Sequence, residues 1–118
     1  MHDLTETKKQ ELRAKIERVE SKFTEGSFAD LIKIFQKLKF EMPVMFIEQW
    51  LLQLTSEKIY TSYGLLAWLY YSIEDFDKAV QYSQYAARYF KDTEIWDTII
   101  KNSLVKETIE GGLEDFAR

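Results

Sequence analysis

The chain has 118 residues, 46% hydrophobic and 31% charged, with four Gly and one Pro; this fits a single globular domain over residues 1–118 and excludes a disordered or collagen-like chain. With no Cys there is no disulfide, thiolate zinc site, iron–sulfur cluster or cysteine nucleophile, and the single His, His2, beside the first residue, is a poor base for imidazole catalysis or a His-rich metal site. Sixteen basic against twenty acidic side chains give a net charge of −4, opposite to the balance a phosphate-binding surface needs, so nucleic acid is not an expected partner.

In chain order, residues 4–23 carry Leu12, Ile16, Val19 and Phe23 as one apolar stripe on a charged surface, which predicts a first helix. Thr24-Glu25-Gly26-Ser27 interrupts it, with Gly26 suited to a left-handed turn and Ser27 to capping a second helix over 27–39. That helix has Phe28, Leu31, Ile32, Ile34, Phe35 and Leu38, a stripe wide enough to be internal. Pro43 opens a third helix over 43–55, on which Phe46, Ile47, Trp50, Leu51 and Leu54 align while Val44, Met45 and Leu52 lie off the stripe. Such a helix is either the central core element or, through residues such as Met45 and Trp50, in part a contact face for a second chain.

A fourth helix is predicted over 58–72 and a fifth over 75–90, antiparallel because only Ile73-Glu74-Asp75 joins them, with Asp75 as cap. A sixth over 93–110 starts at Asp92 or Thr93, carries Ile95, Trp96, Ile99, Ile100 and Leu104, and is expected to stop at Gly111-Gly112, leaving 113–118 as a tail. No segment alternates as a strand does, so the fold class is all-α. The most apolar stretch, Phe40–Leu54, contains Glu41, Glu48 and Gln49, too short and polar for a bilayer, and the charged start resembles no leader; no membrane partner and a cytoplasmic location are expected.

Self-comparison pairs Lys22-Phe23…Gly26-Ser27-Phe28…Leu31-Ile32…Phe35…Leu38 with Tyr70-Tyr71…Glu74-Asp75-Phe76…Ala79-Val80…Ser83…Ala86, an offset of 48 residues. Such self-similarity points to stacked helical hairpins. At the second copy, Tyr63, Leu66, Ala67, Tyr70, Phe76, Ala79 and Ala86 stand where a tetratricopeptide repeat has its signature residues. The segment resembles one such repeat over about 31 residues. It departs from the pattern at Ser83, where an aromatic is usual, and near Lys91, where a Pro is usual. The first copy is weaker, with Leu31 and Leu38 in place of small residues, and helix three would be an inserted element.

The resemblance implies a short right-handed α-α superhelix of about six helices, in which Ala67, Ala79 and Ala86 let backbones approach. It further implies a concave groove for an extended peptide or helix, with Leu65, Trp68 and Tyr71 as partner contacts and Gly64 beside them; packing of Trp68 and Tyr71 against helix three is the alternative. Tyr63, Tyr70, Phe76 and Tyr82 are expected in the core, and Arg13 on a solvent face. The carboxylates Glu74, Asp75 and Asp77 lack the ligand number and the Gly of a calcium loop, so capping is their expected role and no metal or cofactor is expected. No Gly-rich phosphate loop or nucleophile elbow is present, and no catalytic residue is assigned. The expected function is thus a non-enzymatic protein-protein interaction module whose partner is another protein or peptide. The alternatives are a small acidic assembly or secretion chaperone for a helical client, and a homodimeric structural subunit joined through helix three.

Overall fold

The structure is a computed structural model; it describes residues 4–91 and 93–116, with side chains as far as Lys106. Within them the chain forms α1 (Glu6–Ser21), α2 (Glu25–Glu41), α3 (Val44–Ser56), α4 (Thr61–Ser72), α5 (Phe76–Ala87) and α6 (Ile95–Phe116), with no strand among the described residues.

Local chemistry sets the boundaries. Thr24, not Ser27, caps α2: its hydroxyl accepts from the Ser27 amide at 3.1 Å, and the Ser27 hydroxyl accepts in return from the Thr24 amide at 3.3 Å. Gly26 is helical, and among the described residues the left-handed ones are instead Lys58 (φ 69°) and Glu74 (φ 64°). Lys58 turns the chain after α3, with the Ile59 amide donating back to the Leu54 carbonyl at 3.0 Å, which delays α4 to Thr61. Glu74 does the same after α4, and Asp75 then caps α5 by accepting from the Lys78 amide. The expected stop at Gly111-Gly112 does not occur, and α6 continues to Phe116. Each Gly weakens a helix by about 1 kcal/mol but, unlike Pro, removes no hydrogen bond. Of the expected tail, 113–116 is helical and 117–118 lies outside the described residues.

Three helices run the same way. Phe28 and Trp96 both reach Gly64 near the start of α4, while the Lys39 ammonium bonds the Ser72 hydroxyl and that of Lys106 lies over the Tyr71 ring near its end. α2, α4 and α6 therefore form one co-directional layer, beginning at Glu25, Thr61 and Ile95, 36 and 34 residues apart. α3 and α5 run back in a second layer, since Glu48 meets Tyr82, and Tyr63 stacks on Tyr85 while Tyr70 stacks on Tyr82. The shortest extent of the molecule, 23 Å, is two helix layers.

Burial repeats at the same interval: Phe28, Ser62 and Trp96, then Leu31, Leu65 and Ile99, then Phe35, Leu69 and Ser103 are successive sets at 34-residue spacing, and all nine are buried. The 48-residue match is not a structural repeat, because it equates α2 with α5, which run in opposite directions. Nor is α3 the central helix. Its buried stripe is Ile47, Trp50, Leu51 and Leu54, and it packs on α4 with little contact to α2. The centre is α4, which touches every other helix and buries Leu65, Leu66, Ala67 and Leu69 completely. Small side chains permit this: Ala79, Ser83 and Ala86 of α5 are fully buried, and the hydroxyls of Ser62, Ser83 and Ser103 have no hydrogen-bond partner, so size rather than polarity suits them to their places.

Candidate functional site

Across the α2–α4–α6 layer runs a cleft whose floor is α4. Near the start of α4 it is filled. Gly64 presents no side chain, and the rings of Phe28 from α2 and Trp96 from α6 meet edge to face over it, 5.3 Å between centroids. A Cβ at Gly64 would stand 2.9 Å from Trp96 Cζ3 and 3.1 Å from Phe28 Cε1. Phe23 and Phe90 extend this plug, stacked at 4.6 Å, and Trp96 Nε1 donates to the Phe90 carbonyl at 2.9 Å.

Toward the end of α4 the cleft is open. Trp68 and Tyr71 are half-buried there, and Phe40 at the end of α2 is 80% exposed. The Lys39 ammonium lies 5.4 Å from the ring centroids of both Phe40 and Trp68 and donates to Ser72 Oγ at 3.0 Å. On the other flank the Lys106 ammonium lies 5.0 Å from the Tyr71 ring and 5.7 Å from that of Phe76. Of the residues expected to touch a partner, Trp68 and Tyr71 thus share this opening, whereas Leu65 is 0% exposed and Trp50 is 8% exposed, so neither offers surface. Leu65 is enclosed because it belongs to the repeating buried set; Trp50 because it lies on the stripe of α3 that packs inward. Met45 is 60% exposed but lies apart, on α3.

Met45 belongs to a second apolar surface with Phe46 and Leu52. Glu48, the one charged residue of α3, turns inward: it accepts from the Tyr82 hydroxyl at 2.6 Å and pairs with Lys78 at 3.7 Å. Burial by itself pushes the Glu48 carboxyl up, but hydrogen bonds from Tyr82 and Tyr70, with the charge of Lys78, outweigh it and hold the carboxyl below the usual range. Burial first, and Glu48 second, push the phenols of Tyr70 and Tyr82 well above the ordinary tyrosine range. Those two rings end a stacked series in which Tyr82 meets Tyr63, and Tyr63 meets Tyr85, Tyr60 and Tyr89, the Tyr60–Tyr89 pair being 3.7 Å apart and nearly parallel. Tyr70 and Phe76 are buried, whereas Tyr63 and Tyr82 are half-buried.

α1 is tied on by carboxylates. Glu20 accepts from the amide and the hydroxyl of Thr61 at 2.6 and 2.8 Å, capping α4 from another helix where Tyr60 supplies no side-chain cap. Arg13 forms a two-pronged pair with Glu57 at 2.9 and 3.0 Å and bonds Glu17, which raises its pKa further; it does not face the cleft opening.

Neither lysine of the cleft was marked by the sequence, because both come from helices flanking α4. The 34-residue recurrence of Leu31, Leu65 and Ile99 is the signal that would have placed α2 and α6 beside it. Among the described residues no group of three or more His, Asp or Glu could hold a metal ion, and Asp75 caps α5. No described helix is long and apolar enough to cross a membrane. Compared with known proteins, the chain matches no family model, no curated protein and no solved structure.

Proposed function

We propose that the chain is a non-enzymatic, cytoplasmic protein-interaction module resembling a short tetratricopeptide-type array, with the open end of the α2–α4–α6 cleft as its contact site. Support for the array is the spacing: co-directional helices recur every 34 to 36 residues, near the roughly 34 of that family. A poor fit is the α2–α3 pair, which is not a closely packed hairpin. The observation that carries the function is aromatic area left uncovered where the plug ends: Phe40, 80% exposed, shares the Lys39 ammonium with half-buried Trp68, and half-buried Tyr71 lies one turn further along α4. Proteins retained from host lysate by the immobilised chain, compared with those retained by Trp68→Ala, test it. Recovery of the main partner falls at least about tenfold if Trp68 anchors it, with far-UV circular dichroism unchanged. Equal recovery by both forms sinks the reading, and a lost helical signal makes Trp68 a core residue.

The second reading, a homodimer seam on α3, is favoured by one observation: the exposed face with Met45, Phe46 and Leu52 bears no charge that would repel its own copy. Sedimentation equilibrium decides it, since a monomer at high concentration excludes the seam.

A further inference from the structure

Lys39 turns toward α4, and the opposite side of α2 meets α1 in an open seam apart from the cleft. Two adjoining depressions line this seam and share Ile34, one walled by Lys8, Lys33, Lys37 and Glu41, the other by Lys15, Arg18 and Asp30. Glu11 lies on the same side of α1, between Lys8 and Lys15 by helical spacing. The seam therefore carries five cations and three carboxylates, in a chain whose other residues number eleven basic and seventeen acidic. The depression at the α4–α5 connection shows the contrast, since Glu74, Asp75 and Asp77 line it. Half-buried Ile34 gives the seam an apolar floor.

One segment of the chain has the opposite chemistry. Residues 107–116 contain Glu107, Glu110, Glu114 and Asp115 and no basic side chain, while Ile109, Leu113 and Phe116 recur at the spacing of one helix face. α6 carries this segment outward: Lys106 stands at Tyr71 and Phe76, near the end of α4 and the start of α5, and ten further helical residues extend about 15 Å past them. α2 and α6 flank α4 and run the same way, so α6 leaves the layer at the end where Lys37 and Glu41 open the seam, but on the other side of α4. A helix placed there does not reach the seam of its own chain. A two-fold axis normal to the layer, beyond the end of α4, sets α6 of each copy antiparallel to α2 of the other.

We infer that the α1–α2 seam receives the end of α6 from a second copy of this chain, the exchange being reciprocal and closing a dimer. The apolar residues of 107–116 cover Ile34, and the carboxylates of the same segment pair with Lys8, Lys33 and Lys37. Two copies of a chain with net charge −4 repel one another at most approaches; here the acidic segment of each meets the cation-rich strip of the other.

The test is sedimentation equilibrium of the full chain, with circular dichroism to monitor the fold. Lys33→Glu with Lys37→Glu reverses the seam, and Glu110→Lys with Glu114→Lys reverses the helix end. The expected result is a wild-type dimer that weakens with added salt and loses at least about tenfold in affinity in each charge-reversed form alone. Mixing the two reversed forms restores a dimer, because each reversed seam then meets a reversed helix end and each native seam a native one. A wild type that stays monomeric overturns the inference, whatever other acidic helix the seam then accepts. So does a dimer that both reversals leave intact, or a mixture that restores nothing; a dimer lost instead on Leu52→Lys belongs to the face of α3.

Discussion

Gly64 shows how one residue sets the shape of the cleft. In an ordinary helix interior, Ala in place of Gly stabilises by about 1 kcal/mol, because Gly gives up more backbone freedom on folding. Here the added carbon would enter the rings of Trp96 and Phe28, both fully or almost fully buried and unable to swing into solvent. Overpacking of a dense site costs about 1–3 kcal/mol, which outweighs the propensity gain. Gly64→Ala is therefore expected to lower the urea midpoint, whereas Gly26→Ala, where nothing lies within 4 Å of the new carbon, should raise it. If both substitutions raise the midpoint, the plug is looser than its ring contacts imply.

At the scale of elements, Glu48 links three helices, α3 through its own backbone, α5 through Tyr82 and Lys78, and α4 through Tyr70. Its carboxyl has a lower pKa folded than the ordinary unfolded value of about 4.3, so the ionised form stabilises the fold above that value and the contribution is lost as pH falls through the folded pKa. Tyr70 and Tyr82 behave oppositely. Their raised values mean that the protonated phenols stabilise the fold below about pH 10 and lose that contribution as pH rises through the folded values. Urea midpoints of wild type and Glu48→Gln should accordingly differ most near neutrality and converge below about pH 4. A gap independent of pH would mean that the charge of Glu48 adds nothing and only its shape matters.

The same elements show what was legible in the sequence. Helix number and approximate extents follow from apolar period and capping chemistry, both local properties of the chain. The identity of the central helix was equally present, since Ile59–Ile73 contains no charged side chain, but the broad stripe of α3 drew that role instead. Left-handed Lys58 was not legible, because a non-glycine residue enters that region only when neighbouring bonds, here Ile59 to Leu54, hold it there. At the site, Trp68 and Tyr71 could be placed from their own helix. Lys39 and Lys106 could not, since their relation to α4 depends on which helices lie beside it. The resemblance places Leu65 at the groove, but it is enclosed, and burial between packed helices is not set by any local pattern of the chain.

For the molecule as a whole, the plug joins distant parts of the chain: Phe23 from the α1–α2 turn, Phe28 from α2, Phe90 from the α5–α6 connection and Trp96 from α6 share one cluster around Gly64. Such a cluster makes both ends of the array depend on one another, where a stack of nearest-neighbour units would let the terminal helices open separately. Truncating a buried aromatic of this kind costs about 3–5 kcal/mol, and Trp96→Ala also removes the donor to the Phe90 carbonyl. Amide hydrogen exchange followed by mass spectrometry should therefore show protection lost in the α1–α2 turn and the first turns of α2 as well as at the start of α6. Loss confined to α6 would mean that the layer is held by successive helix pairs alone, and the open end of the cleft would then be free to widen without disturbing α1 or α2.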